Sequence, residues 1–321
     1  MAVYTDVSDE ALADFLRRYD LGTAVSCKGI AEGVENSNFL LETTGGGGTG
    51  GGGGGSRYIL TLYERRVAAA DLPFFVGLMD HLAARGFPCP RPVRDREGEA
   101  LGELAGRPAA MVSFLSGTWS AAPDAARMRQ VGATAARLHL LAADFTVARA
   151  NALAPSGWPP LARAALPRAD EVEPGLADLI ASELEALAGA WPDGLPRGVI
   201  HADLFPDNVF FLHERLSGVI DFYFACNDVL VYELAIAMNA WCFGTANRYD
   251  PALADALLAG YESVRPLDAA EREALPVLCR GAALRFLLTR TVDWLDVPPG
   301  ALVRPHDPRV FSHRLRHWRQ P

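Results

Sequence analysis

The chain has 321 residues, half of them hydrophobic, which is enough for two domains with separate cores. Its net charge of −9 disfavours nucleic acid and anionic membrane surfaces as partners. The five cysteines include no Cys-x-x-Cys pair, which indicates a reducing compartment and argues against a disulfide framework or a zinc site. We therefore expect a cytoplasmic protein that binds neither nucleic acid nor membrane.

The first third of the chain is predicted to be rich in strands. Residues 1–21 lack the basic flank and apolar run of a signal peptide, and they predict a helix capped by Ser8. Strands are predicted at 39–41, 58–63, 100–104 and 109–115, with a helix over 71–85. The glycine tract 45–56 should be a flexible hairpin tip, because it buries too little apolar area to offset its ordering entropy. A phosphate loop would need glycines at fixed offsets before a helix, and this tract has neither.

The rest of the chain is predicted to be mostly helical. Helices are predicted over 123–143, 175–189, 229–244, 251–264 and 269–296, and short strands over 198–200, 209–212 and 218–220. The run 229–244 is apolar but shorter than a membrane span, and the basic stretch 304–319 predicts a solvated closing helix. A strand-rich amino lobe (1–114) before a helical carboxyl lobe (115–321) is an α+β arrangement.

The most informative motif is HADLFPDN, from His201 to Asn208, followed by Asp221 in the sequence IDF. In phosphoryl transfer from ATP, the first acid accepts a substrate hydroxyl proton, and the amide and second acid hold Mg²⁺. We assign these roles to Asp203, Asn208 and Asp221. The predicted hairpin 209–220 returns Asp221 beside Asn208, giving two oxygen ligands for magnesium, while Asp203 stays on the opposite side.

Two alternatives accompany this motif. Asp203 and Asn208 alone would also suit the capping of turns, and the presence of Asp221 after the next hairpin argues against that interpretation. His201 is expected to hold the turn by bonding to backbone. Glu233, on an apolar helix, is expected to accept backbone N–H groups of the same loop, because a buried carboxylate without partners is costly.

A loop before the strand at 39–41 suits nucleotide phosphates, since its backbone N–H groups can point at them. Its glycines and small polar residues are Gly29, Gly33, Asn36 and Ser37. An ordinary hairpin turn is the alternative interpretation. Adenine would bond to backbone at the hinge after 109–112, where we name Ser113 and Leu115.

This layout resembles the aminoglycoside phosphotransferase and choline kinase group, whose fold is two-lobed and protein-kinase-like. More narrowly, three stretches resemble the bacterial homoserine kinases of that group: 32–39 (EGVENSNF), 59–64 (ILTLYE) with 71–75 (DLPFF), and 221–226 (DFYFAC) with 239–242 (NAWC). The resemblance covers nearly the whole chain apart from the glycine tract. It implies that ATP and L-homoserine give ADP and O-phospho-L-homoserine, a step in threonine synthesis. Carried over by position, Asp203 resembles the catalytic base, and Asn208 and Asp221 resemble the magnesium ligands.

The same resemblance implies that the amino lobe binds nucleotide, that the carboxyl lobe carries the catalytic, metal and substrate residues, and that ATP lies between the lobes. One position departs from the wider kinase pattern, in which a strand Lys pairs with the phosphates. Thr61 stands there in this chain. We expect Lys28, Arg65 or Arg66 to supply the missing charge; the alternative is that all three are simply solvated.

The acceptor is the least constrained part of the prediction. Homoserine is zwitterionic, so its carboxylate requires a cation. Arg285 and Arg290 are the candidates, although each would also suit an ion pair, and Asn239 would reach the substrate or bond a neighbouring helix. Two rival functions remain: a related kinase acting on choline, an aminoglycoside or methylthioribose, and a non-catalytic nucleotide-binding module, suggested by the absent Lys.

Overall fold

The fold is taken from a computed structural model. It describes residues 5–30, 36–45, 55–64, 68–120, 123–244, 246–297 and 305–320. The chain divides into two compact units, Met1–Ser116 and Gly117–Pro321, whereas the sequence placed the boundary after residue 114. Strands and helices occur in both units, so the fold class is α+β, as predicted.

The amino-terminal unit is built on a five-stranded antiparallel sheet in the order β1-β2-β3-β5-β4. Its described elements are α1 (Asp9–Leu16), β1 (Ala24–Gly29), β2 (Ser37–Thr43), β3 (Ser56–Leu62), α2 (Leu72–Ala84), β4 (Leu101–Leu104) and β5 (Arg107–Ser113). The predicted α1, α2, β2, β3, β4 and β5 are confirmed. Strand β1 was not predicted, because its side chains are mostly exposed and show no apolar alternation.

Local signals set the ends of these elements. The Ser8 hydroxyl accepts a hydrogen bond from Ala11 N at 3.2 Å, which confirms the predicted cap of α1. Strands β2 and β3 pair in register from Ser37 opposite Leu62 to Thr43 opposite Ser56, so the glycine tract does connect two hairpin strands. Residues 46–54 of that tract lie outside the described residues.

The core of this unit lies between the sheet and α1. Leu41 and Leu60 are fully buried from β2 and β3, and Met111 is fully buried from β5. Phe15 of α1 packs into the same cluster and is 4% exposed. Because apolar burial is the dominant favourable contribution to folding, this cluster fixes the sheet that carries the predicted nucleotide loop and hinge.

The carboxyl-terminal unit is mostly helical and carries two small antiparallel β-pairs, β6 with β9 and β7 with β8. Its described elements are α3 (Ala125–Leu141), α4 (Trp158–Ala165), α5 (Leu176–Ala188), β6 (Arg197–Ile200), β7 (Val209–Leu212), β8 (Arg215–Val219), β9 (Cys226–Val229), α6 (Leu230–Trp241), α7 (Pro251–Glu262), α8 (Ala269–Leu295) and α9 (Arg309–Trp318). The predicted hairpin before Asp221 is confirmed as β7 and β8.

Two elements of this unit were missed. Helix α4 begins with Trp-Pro-Pro, which resembles a turn in sequence, yet Pro is tolerated in the first helical turn, where its missing N–H costs nothing. Strand β9 has only four residues and runs directly into α6, so its pattern merged with that of the helix.

Helix α6 is the central element of the unit. Every residue from Val231 to Trp241 is buried, including Glu233 and Asn239. This confirms the interpretation of the apolar run as a core helix. Across the residues that the structure describes, no helix combines the length and apolar character needed to cross a bilayer.

The closing helix α9 corrects one expectation. Residues 304–319 were predicted to be a solvated helix, but Phe311 and Leu315 are fully buried and Arg314 is 9% exposed. The reason is that α9 is amphipathic and several of its polar side chains find protein partners. The Ser312 hydroxyl, for example, donates to Glu173 Oε2 at 2.6 Å.

Candidate active site

The loop between β6 and β7 carries the first two predicted catalytic residues. Asp203 is half-buried and Asn208 is 8% exposed. The Asn208 Nδ2 group donates to the backbone O of Asp203 at 2.9 Å and to its carboxylate Oδ2 at 3.0 Å. The expectation that Asp203 stands on the side opposite Asn208 is therefore wrong. The loop is short, and the Asn208 side-chain amide closes its turn by donating to the backbone carbonyl and to the carboxylate of Asp203.

The third predicted residue, Asp221, is delivered by the β7–β8 hairpin. Val209 pairs with Val219, and Ile220 N donates to Asn208 O at 3.0 Å, so the chain returns to the residue where the hairpin began. Asp221 has the left-handed backbone conformation, with φ of 63° and ψ of 65°. Asp tolerates this conformation better than most residues because its short polar side chain bonds locally.

The donor set suits a magnesium ion that is shared with phosphates. Both hydrogens of the Asn208 amide point at Asp203, so its Oδ1 is the atom left to face a cation. The Asp221 carboxylate is a second hard oxygen donor. Within the described ranges, no group of three or more His, Cys, Asp or Glu side chains could hold a metal by itself. Magnesium prefers hard oxygen ligands and commonly completes its shell with phosphates and water, so these two donors would suit such an ion.

His201 and Glu233 hold the loop between β6 and β7 through hydrogen bonds, as predicted. The Glu233 carboxylate accepts a hydrogen bond from His201 N, and its Oε2 lies 3.4 Å from Ala202 N. His201 Nε2 lies 2.9 Å from the carbonyl oxygen of Ile220, which links the loop to the segment before Asp221. Both expectations, for His201 and for Glu233, are confirmed.

Burial sets the charge state of His201, whereas neighbouring groups set that of Glu233. Burial lowers the pKa of His201, so its ring is neutral and Nε2–H donates to the Ile220 carbonyl. For Glu233, burial alone would raise the pKa. The neighbouring His139 and His201 outweigh that effect and hold the pKa of Glu233 below its ordinary value. An ionised carboxylate is therefore available to bind the two backbone N–H groups.

In the amino-terminal unit, the predicted phosphate loop is described only in part. Gly29 ends β1 opposite Phe39, whereas Gly33 lies outside the described residues. The Ser37 hydroxyl donates to Glu64 Oε1 at 2.7 Å, and Asn36 Oδ1 accepts from Glu64 N at 3.3 Å. The side chains of Asn36 and Ser37 thus bond within their own unit. Contact between the backbone N–H groups of this loop and phosphates stays a prediction.

The strand position where the wider kinase pattern has Lys is neutral here. Thr61 is 3% exposed and its hydroxyl donates to Asn38 Oδ1 at 2.7 Å. Lys28 is exposed on β1, and Arg65 and Arg66 lie outside the described residues. The cation that replaces the strand Lys stays a prediction.

The predicted hinge offers a backbone donor. Ser113 N donates to Arg91 O at 2.8 Å, and Phe114 N donates to Arg57 O at 3.4 Å. Leu115 takes part in no hydrogen bond within the described part of the chain, so its backbone N–H is available to a ligand. Between Ser113 and Leu115, the second is therefore better placed to meet an adenine edge.

The three predicted substrate residues lie in different surroundings. Asn239 is fully buried: its Nδ2 donates to Ala235 O and Cys279 O, and its Oδ1 accepts from Trp318 Nε1. This is the helix-bonding alternative. Arg285 is 2% exposed, and its Nη1 donates to the carbonyl of Ala202 at 2.6 Å. Both side chains serve the protein interior.

Arg290 differs from both. Its guanidinium carbon lies 4.6 Å from the ring centroid of Phe311 and 6.0 Å from that of Phe205, two residues after Asp203. It takes part in no hydrogen bond or ion pair with any described residue. Burial lowers the pKa of Arg290 to about 10, opposed by the negative charges of Asp203 and Asp207, so the group is still a cation at neutral pH.

Known proteins resemble this chain along its whole length. Residues 26–267 match the phosphotransferase enzyme family. Homoserine kinase of Methylobacterium radiotolerans is 59% identical over 320 residues, which are 100% of this chain and 97% of that protein. Homoserine kinase of Azorhizobium caulinodans is 59% identical over 319 residues, covering 99% and 96%.

Solved structures share the fold at low identity. Amicoumacin kinase in complex with AMP-PNP and Ca²⁺ matches with a TM-score of 0.70 at 15% identity, over 97% of this chain and 92% of that one. Choline kinase from Cryptosporidium parvum matches with a TM-score of 0.62 at 13% identity, over 91% and 87%. These likenesses confirm the kinase-like fold that the motifs predicted. With the match over 26–267 and relatives at 59% identity, this chain belongs to the phosphotransferase enzyme family.

Proposed function

We propose that this protein transfers the γ-phosphoryl group of ATP to the hydroxyl of L-homoserine, giving ADP and O-phospho-L-homoserine. The acceptor is inferred from relatives called homoserine kinase, which are 59% identical to this chain over nearly their full length. The observation that carries the chemistry is the Asp203 carboxylate, held by the Asn208 amide in a loop that the β7–β8 hairpin joins to Asp221.

Asp203 is proposed to accept the proton of the substrate hydroxyl. Meanwhile the hydroxyl oxygen bonds to the γ-phosphorus, and the bond from that phosphorus to the bridging oxygen of the β-phosphate breaks. The Asn208 bond to Oδ2 fixes the direction of the carboxylate. This matters because phosphoryl transfer depends mostly on positioning and on charge neutralisation.

Asn208 Oδ1 and the Asp221 carboxylate are proposed to hold Mg²⁺. When bound, this ion would neutralise the negative charge of the triphosphate. The nucleotide itself is proposed to meet backbone N–H groups of the loop that includes Gly29, Gly33, Asn36 and Ser37, and the backbone N–H of Leu115 at the hinge, since the Ser113 N–H is taken by Arg91 O. Threonine synthesis in the cytoplasm completes the proposal, in line with five free thiols.

Among the predicted substrate residues, Arg290 is proposed to bind the homoserine carboxylate. It is a half-buried cation without a protein counter-ion among the described residues, and Phe205 places it next to the catalytic loop. Arginine suits this role because its planar fork matches a carboxylate. Asn239 and Arg285 are not assigned to the substrate because both are buried, with the Asn239 amide and Arg285 Nη1 donating to backbone carbonyls of the interior.

The test is a panel of acceptors given to the purified protein with ATP and Mg²⁺. Homoserine, choline, an aminoglycoside and methylthioribose are compared by ADP release, and ³¹P NMR identifies the product. We expect kcat/KM for homoserine to exceed the others by about 100-fold or more. Asp203→Asn serves as the inactive control. A higher kcat/KM for another acceptor would overturn the substrate, and no ADP release with any acceptor would overturn the enzyme.

A further inference from the structure

Ala202, between His201 and Asp203, adopts an unusual backbone conformation. Its φ is +60°, in the left-handed region that residues with a Cβ seldom occupy. Asn and Asp enter this region with help from their side chains, but Ala has no polar group to bond locally. Something outside the residue must therefore hold it there.

Two buried charged side chains meet the two peptide planes that flank the Ala202 Cα. On the amino side, Glu233 Oε2 lies 3.4 Å from Ala202 N and also accepts from His201 N. On the carboxyl side, Arg285 Nη1 donates to Ala202 O at 2.6 Å. One side chain comes from α6 and the other from α8, so both planes are held from rigid elements.

Arg285 has little else to justify its position. It is 2% exposed and forms no ion pair with any residue that the structure describes. Its guanidinium carbon lies 4.0 Å from the Phe286 ring centroid and 5.3 Å from that of Phe224, while its Nε lacks a hydrogen-bond partner among the described residues. Burying a guanidinium is costly. Among the described residues, the one side-chain hydrogen bond of Arg285 goes to the Ala202 carbonyl.

We propose that Glu233 and Arg285 form a clamp on Ala202 that keeps it left-handed and so sets the direction of Asp203, making Arg285 a positioning residue. The peptide plane that Arg285 holds contains the backbone N of Asp203. If that plane rotates, the Asp203 carboxylate moves with it, although Arg285 touches no substrate. The inference rests on the proposed role of Asp203 in phosphoryl transfer.

Substituting glycine for Ala202 distinguishes a positioning role of Arg285 from a purely structural one, because glycine occupies the left-handed region without strain. Arg285→Met keeps the apolar stem but removes the donor. We expect kcat to fall by about 30- to 100-fold, as for a misplaced catalytic group, with the ATP KM within about three-fold. In the Arg285→Met background, Ala202→Gly should restore kcat by about five-fold or more. Ala202→Gly in the parent is measured alongside, and the rescue is the gain in kcat from the glycine in the Arg285→Met background relative to the gain in the parent.

Arg280→Met is the matched control on the same helix. Arg280 binds Glu183 of α5 through Nε at 2.7 Å and Nη2 at 3.0 Å, and no hydrogen bond joins its side chain to the catalytic loop among the described residues. This variant should lose thermal stability without losing kcat, whereas the glycine rescue should raise kcat without raising Tm. If Arg285→Met does not fold, Arg285→Lys and its Ala202→Gly double variant are compared by the same criterion.

The clamp is overturned if Arg285→Met retains kcat within about three-fold of the parent, or if Ala202→Gly restores none of the loss. Rates are measured with homoserine, with the other acceptors and as ADP release to water. A parent that is active only on another acceptor would end the proposed substrate but leave the clamp testable on that acceptor. A parent with no turnover in any of these assays would end both.

Discussion

The amide nitrogen of Asn208 lies 3.0 Å from the carboxylate oxygen Oδ2 of Asp203. One residue is thus proposed to do two tasks, because its nitrogen orients the base while its oxygen remains for a metal. This hydrogen bond closes the turn from Asp203 to Asn208 in the loop between β6 and β7.

This arrangement predicts that Asn208 variants fail for separable reasons. Asn208→Ala removes both functions, and Asn208→Asp keeps an oxygen donor but sets a like charge beside Asp203. We expect kcat to fall by about 100-fold or more in both, and Asn208→Asp alone to retain Mg²⁺-dependent ATP binding, measured by calorimetry. Unfolding curves verify that each variant folds. Full activity of Asn208→Asp would contradict the orienting role of the amide.

Arg290 should control the recognition of the acceptor carboxylate. Arg290→Met is expected to raise the KM for homoserine by about 10- to 100-fold while the ATP KM stays within about three-fold, since a charge-assisted hydrogen bond is lost. Arg272→Met, on the same helix but exposed and paired with Glu262, is the control.

An analogue sharpens the same test. 3-Aminopropan-1-ol is homoserine without its carboxylate, so the parent should discriminate strongly between the two and Arg290→Met should not. Equal discrimination by both proteins would exclude Arg290 as the carboxylate ligand.

Stability should fall as pH drops below 6.5, in part because of His201. Burial lowers the pKa of His201 from its model-peptide value of 6.5, so between those two pKa values the unfolded chain binds a proton that the folded protein does not. The free energy of unfolding then declines by up to about 1.4 kcal/mol per pH unit for each such group.

Urea unfolding of the parent and of His201→Asn between pH 5 and pH 8 measures this slope. The variant should be less stable at pH 8, because it loses the bond to Ile220, and should have a shallower slope below pH 6.5. A residual slope is expected from His306 and His317, whose pKa values are also lowered by burial. The lowered pKa of Glu233 changes the free energy of unfolding only below about pH 4.5, the ordinary pKa of a Glu side chain. An unchanged slope would contradict the neutral, buried state of His201.

Nucleotide binding should depend on a cation other than the usual strand Lys. Lys28→Ala, Arg65→Ala and Arg66→Ala are compared by the KM for ATP. We expect at least one of them to raise it by about 10-fold, because Thr61 supplies no charge. Arg94→Ala, which removes an exposed ion pair with Asp80, is the control. An unchanged KM for ATP in all three variants would refute the prediction that one of these cations replaces the strand Lys.

Part of the site was readable because it depends on short covalent spacing. Asp203, Asn208 and Asp221 are joined by one loop and one hairpin, so the residue order alone brings Asn208 and Asp221 together. What the order did not reveal was the bond from Asn208 to Asp203, which depends on how tightly the loop turns. The exposed β1 was missed because it shows no apolar alternation, and α4 was missed because its leading Trp-Pro-Pro resembles a turn.

The candidate substrate residues show where sequence reasoning reached its limit. Arg285 and Arg290 are five positions apart on α8, about 140° around the helix axis, so they cannot face the same surroundings. That separation was available from the numbering. Which of the two faces the core was not, because it depends on how α8 packs against α6.

By itself, the sequence determined the family of this protein and the order of an acid, an amide and a second acid, to which we assign phosphoryl transfer. The tertiary structure alone decided that Arg285 holds the Ala202 carbonyl, that Asn239 bonds neighbouring helices and that Arg290 stays without a described counter-ion. Local spacing fixes contacts within a loop, whereas the partners of a buried polar side chain are set by the packing of distant helices.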